Sequence, residues 1–265
     1  MSTTPQEVAD ALVRLDEVTR HLRVSCPWDR EQDERTIVPH TVEEAYELAD
    51  AANSGDDAKL ADELGDVLFQ VHFLSLLLEE RDAGSLADVA DHVRTKLIRR
   101  HPHVYSTSPE GEGITEVADA GEVLRNWDQI KATEAGREPG IFGEVPENLP
   151  GPLYARKVQR RAATAGLDVD EVPYAAVEAQ LELLPEAAAA GPETAFDAIG
   201  DLLFSVVNVA RKLQVDPELA LRSASGRFRS TVEGAEQLAT RHGRPWEELS
   251  ADEKLSLYAQ ARFQS

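Results

Sequence analysis

Apolar positions recur at helical spacing along most of the chain, and no stretch alternates with period two for long enough to predict a strand. Val8, Leu12, Val13, Leu15, Val18 and Leu22 predict an amphipathic helix over residues 5–23. A turn-rich segment, Ser25-Cys-Pro-Trp-Asp-Arg-Glu-Gln, follows and leads to Pro39. Thr41, with Glu44 three residues on, has the capping-box signature and predicts the next helix from Thr41 onward. Ser54-Gly-Asp-Asp is a short turn suited to antiparallel neighbours, and it leads to a helix over 62–78 that carries Leu, Val and Phe around most of its circumference. Further helices are predicted over 85–100 and around Trp127, with a loop over 106–115 between them. The segment 136–152, rich in glycine and proline, reads as a linker.

The second half repeats the first. Gly65-Asp-Val-Leu-Phe-Gln-Val matches Gly200-Asp-Leu-Leu-Phe-Ser-Val at an offset of 135, and Val42-Glu-Glu-Ala-Tyr-Glu-Leu meets Val177-Glu-Ala-Gln-Leu-Glu-Leu at the same offset. Later the offset shortens to 131, setting Lys96 against Arg227, Arg100 against Thr231 and Trp127 against Tyr258. The expected architecture is therefore all-α, two tandem copies of one helical bundle. Residues 1–135 form the first copy, 136–152 the linker and 153–265 the second.

Composition narrows the function classes. The 265 residues hold 27 Lys plus Arg against 49 Asp plus Glu, a formal net charge of -22. Such a field repels nucleic-acid phosphates and anionic membranes, so neither is expected as a partner. The lone Cys26 has no intrachain partner for a disulfide, no apolar run approaches membrane-spanning length, and residues 1–20 lack the pattern of a signal peptide. A soluble, cytoplasmic protein is expected.

Against this background four acids stand out. Glu44 and Glu47 share a face of one predicted helix, while Glu63, Asp66 and Gln70 form a narrow polar stripe on the otherwise apolar next one. A single E-x-x-E on a helix is usually a solvated face, but acids on an apolar helix are rarely buried unless paired or metal-bound. Carboxylates about 4 Å apart repel by roughly 4 kcal/mol per pair at an effective dielectric near 20. A hard cation with oxygen ligands relieves that repulsion, and Mg²⁺ keeps positions open for water and substrate phosphates. Lys96 and Arg100 share a face at i, i+4 and are the densest positive charge in an acidic chain, as a polyphosphate requires. The acids on the second copy have decayed: Glu44 corresponds to Ala179 and Glu63 to Ala198, leaving Glu182 and Asp201.

Cys-Pro-Trp-Asp, then Thr41-Val-Glu-Glu-Ala-Tyr-Glu, then Glu63-Leu-Gly-Asp66 with Leu-Phe-Gln-Val, then Lys96-Leu-Ile-Arg-Arg-His-Pro-His-Val together resemble the MazG family of nucleoside triphosphate pyrophosphohydrolases. The resemblance covers nearly the whole chain, strongly in the first half and partially in the second. It implies the all-α NTP pyrophosphatase fold, a homodimer, and Mg²⁺-dependent hydrolysis of a nucleoside triphosphate to monophosphate and pyrophosphate, with Mn²⁺ as the alternative ion and house-cleaning of the nucleotide pool as a role. By the family pattern Glu44, Glu47, Glu63 and Asp66 would be the metal ligands, with Glu43 or Glu47 orienting or deprotonating the water. Lys96, Arg100, Trp127, Lys131 and Trp28 would contact the substrate. Two other classes are weighed: a non-catalytic nucleotide-binding regulatory or scaffold protein, and a ferritin-like di-iron protein. The latter requires Glu-x-x-His pairs, which the two acid-bearing helices lack. A dUTP-type or phosphoribosyl-ATP pyrophosphohydrolase would keep the fold and change the substrate.

Overall fold

A computed structural model describes residues 3–105, 117, 122–123, 126–127, 130, 140–143 and 145–263. Every regular element among them is helical. The chain divides into two compact units, Met1–Thr133 and Glu134–Ser265. No helix among the described residues is long and apolar enough to cross a membrane.

The first unit contains α1 (Pro5–Ser25), α2 (Pro27–Glu31), α3 (Glu34–Ser54), α4 (Asp57–Glu79) and α5 (Leu86–Arg100). Helix α1 opens on a reciprocal capping box between Thr4 and Glu7, and α5 on one between Ser85 and Asp88. Gly55, at φ 71°, ends α3 in the left-handed conformation that glycine adopts without steric cost, and Asp56 then caps α4. So tight a turn makes α3 and α4 a hairpin, and α1 and α5 each pack on α4. Ile37, Phe73 and Leu77 form its buried core, with Phe69 and Leu74 against them. Two arginines hold α1 to the end of α4: Arg20 binds both carboxylate oxygens of Glu79 at 3.1 and 2.6 Å, and Arg23 binds Glu80 at 2.8 and 2.9 Å. Arg23 also donates to the backbone carbonyls of Asp29 and Gln32, which fixes α2 beside the same junction.

The segment from Ser25 to Thr41 is more helical than its turn-forming composition suggests. Trp28 lies on the one-turn helix α2, and α3 begins at Glu34, well before Thr41. Asp33 is the effective cap: its carboxylate accepts from the Arg35 and Thr36 amides at 2.9 and 3.0 Å, and the Thr36 hydroxyl accepts from the Asp33 amide. Thr41 sits inside the helix, its hydroxyl donating back to the Ile37 carbonyl at 3.2 Å. Pro39 is accommodated in the second turn of α3 rather than ending a loop.

The second unit contains α6 (Gly151–Thr164), α7 (Tyr174–Ala190), α8 (Pro192–Lys212), α9 (Pro217–Arg241) and α10 (Ala251–Arg262), with a 3₁₀ turn at Trp246–Glu248. Helices α7 and α8 pack together about Gly191, and α6 packs on α8. Its core joins Ala235, Leu238 and Ala239 of α9 to Leu249 and to Leu257 and Ala261 of α10. The predicted linker, 136–152, lies partly outside the described residues, and its last two positions already belong to α6.

Candidate active site

Helical periodicity alone explains why acids point into the first unit. On α3, Ile37, Glu44 and Ala51 recur every seven residues and so lie along one line of the helix; Ile37 and Ala51 are among the most buried residues of the chain. On α4, Glu63, Gln70 and Leu77 form a second line at the same interval, each buried. The hairpin brings these two lines together. Ile37 meets Leu77 in the core, and toward the turn the apolar pair gives way to Glu44 opposite Glu63.

One carboxylate oxygen each from Glu44, Glu63 and Asp66 lies within 4.8 Å of the other two. Glu63 is 6% exposed, Glu44 half-buried and Asp66 exposed, so the cluster opens to solvent on one side. Burial, and after it the charges of Asp66, Glu47, Glu63 and Glu43, raises the Glu44 carboxyl above its ordinary value. Glu63 is also raised, by burial first and by Glu47 next, with Lys59 opposing. Glu47 is thus the strongest charge acting on Glu63 although it stands outside the tight triad, exposed on α3.

This donor set fits a hard divalent cation. An octahedral ion with oxygen ligands at about 2.1 Å holds neighbouring ligands about 3 Å apart and opposite ones about 4.2 Å apart. Three carboxylate oxygens within 4.8 Å of one another can meet that geometry with small side-chain rotations, and the open side leaves positions for water or phosphate.

The remaining predicted residues are placed as follows. Glu43 is exposed and bonded to His40 Nδ1 at 3.2 Å. His40 in turn rests against Trp28, ring centroids 5.9 Å apart, so a short chain of contacts runs from the indole to the acid helix. Trp28 is 52% exposed, a flat face turned to solvent. Lys96 and Arg100 are half-buried on α5, which packs against the acid-bearing α4. Trp127 lies in helical backbone, with His101 edge-on to it at 4.8 Å, and His101 is itself bonded to the Leu97 carbonyl at 2.6 Å. Lys131 falls outside the described residues. His40 is a residue that sequence reasoning passed over, and the contact of His101 with Trp127 is a second feature it did not foresee. His40 was legible, since it stands three residues before Glu43 on the same helix; the His101–Trp127 contact is tertiary and left no local signal.

No acid triad of this kind forms in the second unit among the described residues.

Comparison with known proteins agrees with this geometry. Residues 32–105, which span α3 to the end of α5, match the family described as the MazG nucleotide pyrophosphohydrolase domain. The chain is 39% identical over 236 residues to the nucleoside triphosphate pyrophosphohydrolase/pyrophosphatase MazG of Thermotoga maritima, covering 88% of this chain and 87% of that protein. It is 35% identical over 245 residues to the nucleoside triphosphate pyrophosphohydrolase of Escherichia coli, covering 88% and 89%. A Mycolicibacterium smegmatis protein of the same name is 35% identical over 172 residues, 63% of this chain and 49% of that one.

Proposed function

The chain belongs to the MazG family of nucleotide pyrophosphohydrolases, and on that premise we propose that its first unit hydrolyses nucleoside triphosphates in the cytoplasm, releasing pyrophosphate and leaving the monophosphate. The observation that carries this reading is the convergence of Glu44, Glu63 and Asp66 at a solvent-open cluster on an otherwise apolar hairpin.

Glu44, Glu63 and Asp66 would hold a divalent cation, Mg²⁺ in the first instance and Mn²⁺ as its substitute, with Glu47 completing the set. Such an ion, when bound, neutralises phosphate charge and lowers the pKa of a coordinated water. The protein's own share is positioning and electrostatics. Glu47, exposed beside the buried Glu63, and Glu43, held by His40, are the two carboxylates available to orient the attacking water or take its proton. Lys96 and Arg100 on one face of α5, together with Lys131, would bind the phosphates. Trp28 and Trp127 offer aromatic faces to the base; stacking of this kind accepts any base, which fits a broad nucleotide range.

The residue ranges 1–135, 136–152 and 153–265 remain our division into catalytic copy, linker and degenerate copy, and the alanines at 179 and 198 argue against turnover in the second copy. We also propose a homodimer. On α4, Leu64, Leu68 and Val71 form an apolar line, 38–51% exposed and about 100° round the helix from the Glu63 line, which suits association between two copies.

The test is pyrophosphate release from a mixture of nucleoside triphosphates, with Mg²⁺ or with EDTA, by the intact chain and by Glu63→Ala. Metal-dependent release that falls at least a thousandfold in the variant supports the site. Equal rates in parent and variant would refute it, and nucleotide binding without release by the parent would favour a regulatory role.

A further inference from the structure

At the basic end of α5 the chain turns on His101. Its amide donates to the Ile98 carbonyl at 3.1 Å, and its own carbonyl accepts from the Val104 and Tyr105 amides, each at 2.9 Å. These bonds close the helix end and hold the His101 backbone from both sides.

The ring is held as well. A carbonyl oxygen can only accept, so Nδ1, 2.6 Å from the Leu97 carbonyl, carries a proton and donates it one turn back along the helix. The imidazole also meets two other rings: His103, with centroids 5.5 Å apart, and Trp127, at 4.8 Å with the ring planes at 86°. Near-perpendicular rings at this separation are an arrangement that aromatic quadrupoles favour, so imidazole and indole orient one another.

Two parts of the proposed substrate site thereby share one frame. Lys96 and Arg100, the proposed phosphate contacts, lie in the last two turns of α5, and Leu97, whose carbonyl holds the imidazole, stands between them. The imidazole links the helix that carries these cations to the indole that would carry the base. An indole plane set in advance spares the nucleotide the cost of ordering it on binding.

Resting on the reading of Trp127 as a base contact, we propose that His101 is a positioning residue for the nucleotide base. It sets the plane of the Trp127 indole relative to the phosphate-binding end of α5, and so favours nucleoside triphosphates over polyphosphates that carry no base.

Calorimetric titration of the full chain in Mg²⁺ tests this with two ligands. One is the α,β-methylene analogue of ATP, which cannot be split at that bond; the other is inorganic tripolyphosphate, which has phosphates and no base. His101→Leu keeps the bulk of the side chain and should weaken the analogue about tenfold, within the range that stacking of one base supplies, while tripolyphosphate binds within twofold of the parent. His101→Phe, which returns a ring to the indole, should bring the analogue to within threefold of the parent. Trp127→Leu should weaken the analogue at least tenfold, and adding His101→Leu to it should cost less than a further twofold, because a residue that acts through the indole then has nothing to position. Parent-like binding of the analogue by His101→Leu, an equal loss for tripolyphosphate, or additive losses in the double variant would each overturn the proposal while the base contact of Trp127 stands. Parent-like binding by Trp127→Leu, or no binding of the analogue by the parent, would remove that base contact and the proposal with it. Should circular dichroism show His101→Leu unfolded, His101→Gln is held to the same outcomes.

Discussion

Neutralising Glu44 should strengthen the metal-free protein and weaken its response to metal, two effects of opposite sign from one atom change. In Glu44→Gln the shape of the side chain is kept and one of three clustered charges is lost. The oxygens of Glu44, Glu63 and Asp66 lie within 4.8 Å of one another. At that distance a pair of unit charges costs about 0.9 kcal/mol with water-like screening and about 3.5 kcal/mol at an effective dielectric of 20. Asp66 is exposed and Glu44 only half-buried, so the screened end applies, and removing the Glu44 charge should relieve roughly 1 to 2 kcal/mol. For a unit of this size that is a rise in melting temperature of about 4 to 8 °C in EDTA. The pH dependence has a definite sign. Glu44 titrates above its ordinary 4.5 in the folded state, raised by burial and then by Asp66, so the folded protein binds that proton more tightly than the unfolded chain does. The parent therefore loses stability as pH climbs from about 4.5 through the raised value, and the glutamine variant lacks that decline. Adding Mg²⁺ should stabilise the parent more than the variant, by linkage of binding to folding. Thermal unfolding followed by circular dichroism, across pH and with or without Mg²⁺, reads all three. A variant no more stable than the parent in EDTA at pH 7.5, or one that gains as much from Mg²⁺, would refute the view of this cluster as repelling acids awaiting a cation.

Other perturbations probe the frame around it. Arg23→Ala removes the Glu80 contact and leaves the Asp29 and Gln32 carbonyls without their donor, and should cost about 2 to 3 kcal/mol in urea unfolding. Phe73→Ala empties a fully buried position beneath the acid hairpin and should cost about 3 to 5 kcal/mol by the same measurement, with pyrophosphate release lost in parallel as the hairpin loosens. In the second unit, hydrogen bonds from Arg211 hold the Asp168 carboxyl down to about 2, against an ordinary 3.8. The stability this supplies is present above pH 3.8 and is lost as pH falls toward 2; an acid-unfolding titration of Asp168→Asn should lack that segment of the curve.

Much of the site could be read before any coordinates. The interval between Glu63, Asp66 and Gln70 on an apolar helix marks a polar stripe, and the hairpin turn at Gly55 specifies what faces it. Less legible was how far α3 is rotated. Glu44 and Glu47 share a face by spacing, yet only Glu44 joins the triad, because Ile37 and Ala51 on its own line are the residues that bury and so set the helix's orientation. The start of α3 was misread for a local reason. Thr41 with Glu44 fits the capping-box signature better than Asp33 with Thr36, and Pro39 also favours the later start. A proline in the second turn lacks one amide that the helix would otherwise use, a cost that the Asp33 cap offsets by satisfying two others. Trp28 and His40 meet through α2, whose position depends on Arg23, and a contact made that way leaves no periodic trace.

The α3–α4 hairpin has a consequence for how the protein is made. Every acid of the cluster lies between Glu43 and Asp66, so the cation site needs no contact that is distant in sequence. Local helices form within microseconds, whereas synthesis proceeds at roughly 5–20 residues per second. The hairpin can close and fill with metal while the second unit is still on the ribosome.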